Sequence, residues 1–429
     1  MKRKINVHKL EPGMIPASDL LAGNGRLLVN SGIPLSGKHI RALKTWGVTE
    51  VDIRETGGYP QTEQSDTPGE GEVWQDPELL ELAEKRIQPK FVHTDLEYPA
   101  MQEMFSLARV RLAREMARNP DLRDPPAHQP QTRTHGEILF GKHQSRPEQM
   151  DPGRLDFDSL EFPPLPLLTV QLQEALTDPQ CTAARLAAII NRDPELSRRL
   201  LNLVNSSFYG FPFRIESVSQ ALNLLGTKQS FMMVLVFLFR STFQGLKIQE
   251  MNLRKFWRHS IACAIAARTM GSFREGMNKE RLFLAGMIHD IGKTILMLNF
   301  PQHMGQARKK AAREKKLSWQ AESAVMGTDH AHAGGLLVAK WKLPLILEHS
   351  VRYHHAPNRS LHFPDTAVVH VADILVHACS MHGDGPEYVP PLDARAWEIL
   401  GLDPAVFALC LEKVDRFLQK SSRPSPEKS

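Results

Sequence analysis

The apolar positions of this chain recur at helical spacing over most of its length, and they are densest in residues 282–298, LFLAGMIHDIGKTILML. That stretch is too continuously apolar for a helix with a solvated face, so it predicts a helix buried on most sides of a sizeable core. Residues 165–176, the run after Thr182, 194–205, the run after Ser217 and 228–243 also read as helices. Asp193-Pro194 is a start signal with Asp as cap and Pro in the first turn, Thr182 and Ser217 suit caps, and Gly226 suits a stop. No stretch of this region alternates with period two, so the fold predicted for it is all-α.

The first 54 residues read differently. Leu20-Leu21 and Leu27-Leu28-Val29 flank Gly23-Asn24-Gly25, a hairpin signal, and a helix over 38–46 stops at Gly47 before a short strand over 50–53. This gives a small mixed α/β module over residues 1–54. Residues 55–76 are rich in Gly, Pro, Thr, Ser, Glu and Asp and form a predicted linker. Residues 77–118 supply amphipathic helical material, and 119–158 is a Pro-rich stretch expected to be disordered. The main helical domain then spans 159–415, with a disordered tail over 416–429.

With 429 residues, 42% hydrophobic and 24% charged, the chain is ordinary globular material. Its basic N-terminus meets polar residues rather than an apolar segment, and its longest apolar run, 231–239, is far shorter than a membrane span. A cytoplasmic protein without a membrane partner is expected. Four scattered cysteines form no CxxC, which argues against a disulfide framework or a thiolate zinc site. A net charge of +5 is mild, and the densest basic cluster, between Arg308 and Lys316, has helical spacing with a glutamate inside it. A solvated helix face explains it better than a nucleic-acid footprint.

The candidate chemistry lies in the buried helix, where His289, Asp290 and Lys293 sit among apolar neighbours. Burying such groups without partners costs several kcal/mol, so they must be paired or bound to metal. Nine of the 18 histidines fall between His330 and His382, enriching the commonest metal ligand. Imidazole with carboxylate suits Mn, Fe, Zn or Mg. Equally, His289 and Asp290 could form a buried polar network, and Lys293 could either neutralise Asp290 or contact a phosphate.

Several motifs carry a resemblance. FPPLP, then DPQCTAARLAAIINRDPELSRRLLNLVNSSFYG and IESVSQALNLLG, followed by LAGMIHDIGK, ESAVMGTDHAHAGGLLVAKWKLP, HSVRYHHAP and VVHVADIL, together resemble an HDOD domain, the signalling offshoot of the HD superfamily, over about 162–411. Residues 5–53 resemble the module found ahead of HD-GYP signalling domains. The resemblance implies His259 and Asp373 as ligands beside His289 and Asp290, and His330, His354 and His355 for a second divalent ion. It places Lys293 as the candidate catalytic residue. Two departures stand out: Lys255 occupies the place of a glutamate one turn before the first His, and Ala356-Pro357-Asn358-Arg359 replaces the Gly-Tyr-Pro segment. The implied role is a signal-transduction scaffold or output domain that is metal-competent but not catalytic, with signalling proteins as partners and a second copy of the chain as a candidate. The alternative is a metal-dependent phosphohydrolase acting on a nucleotide or cyclic dinucleotide. His332, His349, His362, His370, His377 and His382 are read as structural, and Trp341 and Met326 as core.

Overall fold

The structure, a computed structural model, describes residues 2–7, 10, 14–18, 20–21, 27–29, 35, 40, 43, 50–54, 76–123, 160–178, 180–205, 211, 213–244, 252–379 and 388–421. The chain forms two compact units, Met1–Gly69 and Glu70–Ser429.

In the first unit, β1 (Lys2–Asn6) pairs antiparallel with β4 (Glu50–Arg54), and β2 (Leu20–Leu21) pairs antiparallel with β3 (Leu27–Val29). Val51 and Ile53 are buried and Asp52 between them is half-buried, the period-two pattern of a strand with one face on a core. That core gathers Val7, Leu10, Leu20, Leu35, Ile40 and Leu43. The Gly23-Asn24-Gly25 turn lies outside the described residues. Of the helix expected over 38–46, only Ile40 and Leu43 are described, both helical and buried.

The second unit is built from helices and has no strand among its described residues. It opens with α1 (Pro77–Ile87) and α2 (Pro99–Arg118), continues with α3 (Leu167–Thr177), α4 (Ala183–Ile190), α5 (Pro194–Val204), α6 (Val218–Leu225) and α7 (Thr227–Gln244), and reaches α8 (Leu253–Gly271). The caps fall where the sequence puts them. Thr182 accepts from Arg185 N–H, Asp193 from Glu195 and Leu196 N–H, and Ser217 from Gln220 N–H, while Gly226 ends α6 at φ 88°. Between residues 55 and 76 and between 119 and 158, all but Asp76 and residues 119–123 lie outside the described residues.

The expected single helix over 282–298 is two. α9 (Lys279–Ile288) and α10 (Ile291–Asn299) are separated by His289 and Asp290, with Asp290 at φ −95°, ψ 4° as the cap of α10. The Asp290 side chain makes no capping hydrogen bond there, and the break lets it and His289 turn inward while the apolar residues on either side remain buried. After it come α11 (Pro301–Glu314), α12 (Ser318–Met326), α13 (His330–Lys340), α14 (Leu345–Arg352), α15 (Phe363–Cys379), α16 (Ala394–Leu400) and α17 (Val406–Ser421). The last helix continues beyond the boundary expected at 415, because Phe417 and Leu418 pack against the core and Arg111 of α2 holds Asp415 at 2.6 Å. None of the described helices is long and apolar enough to cross a membrane.

Two glycines bring the central helices together. A β-carbon at Gly286 of α9 would lie 2.9 Å from the Ala264 backbone of α8, and one at Gly292 of α10 would lie 1.8 Å from the His330 carbonyl oxygen and 2.5 Å from Gly334 N of α13. Only glycine permits such approaches.

Candidate metal centre

Each polar group of the centre is carried there by a helix end or a helical repeat. α8 presents His259 and, one turn on, Cys263. The α9–α10 break presents His289 and Asp290, with Lys293 three residues later. Asp329 caps α13 by accepting from His332 N–H, which fixes His330 at the helix start. His354 and His355 follow α14, and α15 supplies Asp373 and, four residues on, His377.

All eight candidate residues converge. His259 Nε2 and His289 Nε2 lie 3.1 and 3.3 Å from Asp373 Oδ1, and each lies 3.5 Å from Asp290 Oδ2. The other oxygen of Asp290, Oδ1, is 3.1 Å from His330 Nε2 and 3.9 Å from His354 Nε2. His355 Nε2 faces His330 Nε2 at 2.9 Å. Asp290 thus stands between two sets of imidazoles with one oxygen toward each. Lys293 Nζ lies 2.7 Å from Asp290 Oδ2, the neutralising geometry of the two considered for it.

The imidazoles are held as ligands are usually held. The Nδ1 of His289 donates to the Gly286 carbonyl at 2.8 Å, that of His354 to the Val351 carbonyl at 2.7 Å, and that of His330 to Glu322 Oε2 at 2.6 Å. Fixing the proton on Nδ1 leaves the Nε2 lone pair turned inward, the outer bonding that orients metal-binding histidines. His354 Nε2 is buried and has no hydrogen-bond partner among the described residues, a cost of about 1–3 kcal/mol for a polar atom left without water or ligand.

The electrostatics agree. Burial pushes the Asp290 carboxyl up, but Lys293, His289 and His330 outweigh it and hold the group well below the usual carboxylate range. Burial likewise opposes ionisation of Asp373, and His377, His259 and His289 prevail. Burial and then neighbouring imidazoles push His354 and His355 well below the ordinary histidine value, so both are neutral, the form that ligates. Burial alone would lower His330 too, but Glu322 and Asp290 raise it to about 10. Three buried carboxylates, Asp290, Glu322 and Asp373, exceed the single ammonium of Lys293, a surplus of negative charge that holds protons on His289 and His330 and that a bound cation would take over from them. The orphaned His354 Nε2, the inward lone pairs and this charge surplus all fit a divalent metal.

Three members were not foreseen. His377, read as structural, places Nε2 3.4 Å from Asp373 Oδ1 and its ring 4.7 Å from that of His259. Cys263 Sγ lies 3.5 Å from His259 Nε2 and 4.0 Å from Asp373 Oδ1, and Glu322 grips His330. The i,i+4 spacing from Asp373 and from His259 was the available signal for the first two. The other histidines stay apart from the centre: His332 meets Arg352 and His349 accepts from Leu361 N–H, while His370 Nδ1 donates to the His354 carbonyl and His382 lies outside the described residues.

A family model for the HDOD domain matches residues 162–357. The chain carries an HDOD domain. Its match ends before Asp373 and His377, so the HDOD stretch contains the centre except for the α15 contribution. Solved structures share the fold. An HDOD domain protein of Geobacter sulfurreducens is 21% identical with a TM-score of 0.50, over 61% of this chain and 91% of that one. A protein of Marinobacter aquaeolei VT8 described as a candidate signal transduction protein is 20% identical with a TM-score of 0.51, over 62% of this chain and 60% of that one. A protein of Shewanella amazonensis SB2B described as a candidate phosphohydrolase is 19% identical with a TM-score of 0.50, over 61% and 96%. An uncharacterized protein of Treponema pallidum (strain Nichols) is 24% identical over 205 residues, and the match spans 46% of this chain and 38% of that relative.

Proposed function

We propose that the helical unit is a signal-transduction module in which residues 159–415 hold divalent metal as a structural centre and offer their helical surface to partner proteins. His259, His289, Asp290 and Asp373 hold one ion, and His330, His354 and His355 hold a second, with Asp290 between them. The observation that carries this reading is Asp290 with its two oxygens facing two imidazole sets. The signalling role draws on the HDOD match and on the description of the Marinobacter neighbour. Lys255 in the place of a glutamate, and 356–359 in the place of Gly-Tyr-Pro, separate the chain from multi-metal phosphodiesterases of similar pattern.

A second reading, a metal-dependent phosphohydrolase acting on a nucleotide or cyclic dinucleotide, is favoured by access. The side chains of His259 and Lys293 remain 16% and 22% exposed, so the centre opens to solvent on their side. A divalent cation there would supply Lewis acidity toward a phosphoryl oxygen. Lys293 would neutralise charge developing on that oxygen, and His377, 14% exposed beside Asp373, would exchange a proton with solvent.

Metal analysis of wild type and Asp290→Ala, grown with Mn, Fe and Zn and paired with melting curves and a nucleotide-hydrolysis screen, separates these readings. The structural centre predicts bound metal in wild type and its loss in the variant. With cation at about 100 times Kd, that loss removes about 2.7 kcal/mol, or about 5 to 10 °C, and neither protein turns substrate over. A wild type that binds no divalent cation refutes both readings. Metal-dependent hydrolysis that Lys293→Ala abolishes while keeping its metal installs the hydrolase.

A further inference from the structure

A second feature lies on the outer side of α8, away from the metal centre. A cleft of about 1050 Å³ runs between α2, α8 and α17, with α7 and α9 beneath it. Two of its walls, α2 and α17, lie outside the matched HDOD residues, so the cleft depends on what this chain adds to that domain. Its floor is apolar and nearly closed to water, with Trp257 4%, Phe283 3% and Met287 2% exposed. Five arginines against two carboxylates line it, and one of those carboxylates, Asp415, is already matched by Arg111 at 2.6 Å. Arg118, Arg254 and Arg258 are exposed on the rim, and among the described residues no carboxylate pairs with any of them. The indole Nε1–H of Trp257 is buried and has no acceptor among the described residues.

These features specify a ligand. Uncompensated guanidinium groups call for phosphate or carboxylate, which arginine binds through paired donors. Leu253, Ile261, Phe417 and Leu418, half-buried, give the cleft an apolar wall that a ligand can touch. Its volume is that of a small-molecule site lined by apolar residues with a few fixed polar groups. We infer that this cleft binds an anionic amphiphile from solution, its apolar body along Leu253, Ile261, Phe417 and Leu418 and its phosphate or carboxylate head between Arg118, Arg254 and Arg258, a role separate from the metal centre and not dependent on it.

Calorimetric titration of the full chain with octyl phosphate, octanol and inorganic phosphate tests this. Octyl phosphate binds, and octanol and inorganic phosphate each bind at least about ten-fold more weakly, because each lacks one half of the recognition. Arg254→Glu/Arg258→Glu, on exposed positions, weakens octyl phosphate by at least about ten-fold with an unchanged melting curve. Ile261→Trp, which fills the cleft without altering charge, weakens octyl phosphate by a similar factor while inorganic phosphate is unaffected. The proposal is overturned if octyl phosphate produces no binding heat, if inorganic phosphate binds equally well, or if the charge-reversed protein binds octyl phosphate like wild type. Binding to phosphatidic acid vesicles without binding to monomeric octyl phosphate also overturns it, since that result assigns the arginines to a bilayer surface.

Discussion

Gly292→Ala is the smallest change that should take the centre apart. The new β-carbon would lie 1.8 Å from the His330 carbonyl oxygen, whereas ordinary contact begins near 3.4 Å, so α10 and α13 must separate by about 1.6 Å at that point. The obstacle is backbone on both sides, His330 O and Gly334 N, and no side-chain rotation relieves it. His330 Nε2 stands 3.1 Å from Asp290 Oδ1, and metal–ligand distances tolerate only about 0.2 Å, so an opening eight times larger removes His330 from any ion shared with Asp290. Overpacking of this kind costs about 1–3 kcal/mol before any metal is lost, which lowers the melting point by about 2 to 12 °C in a domain of this size. Elemental analysis of the purified variant should show the second ion missing and the first, held by His259, His289, Asp290 and Asp373, largely kept. A Gly292→Ala protein with the metal content and melting point of wild type would refute the packing argument and the role of His330 together.

Gly286→Ala should do the converse, prising α9 from Ala264 and weakening the His259–His289 side first, which metal titration of the two glycine variants can compare. Glu322→Gln leaves the His330 ring without its carboxylate partner and should weaken the second ion by about 10- to 100-fold at nearly unchanged helicity, as metal-binding isotherms would show. His370 gives a pH signature. Its Nε2 accepts from Asp393 N–H at 3.0 Å, and burial depresses its pKa, so the folded protein resists a proton that the unfolded chain takes up below about 6.5. The stability it protects is therefore present above about pH 6.5 and lost as pH falls below it, by at most about 1.4 kcal/mol per unit, and melting points of His370→Gln should fall less steeply over that range. Equal slopes for the two proteins would count against a neutral buried His370.

The parts of this fold that the sequence makes legible are those where a local rule and the tertiary structure agree. Asp193-Pro194 starts a helix for reasons contained in two residues, and Thr182 and Ser217 cap theirs with their own hydroxyls. The ligand candidates were legible for another reason: histidine and aspartate in an apolar run cannot be left unpartnered, whatever the fold. Which residues meet them is a tertiary matter. Glu322 precedes His330 by eight residues on a different helix, with no periodicity to connect them, whereas Cys263 and His377 stood one turn from the candidate ligands His259 and Asp373.

The break between α9 and α10 was illegible because every residue around it is compatible with a helix, and apolar density alone argues for continuing one. Just after it, Gly292 approaches the His330 carbonyl, a tertiary contact between segments almost forty residues apart that no local pattern announces. In a continuous helix His289 and Asp290 would point about 100° apart, and a single ion could be shared only at their common edge. With the break, His289 Nε2 lies 3.5 Å from Asp290 Oδ2 while Oδ1 of the same carboxylate turns to His330, so one aspartate serves two sides of the cluster. Gly292, two residues after the break, lets α10 approach α13 and so brings His330 to Asp290 Oδ1, and a side chain at that position should break this contact.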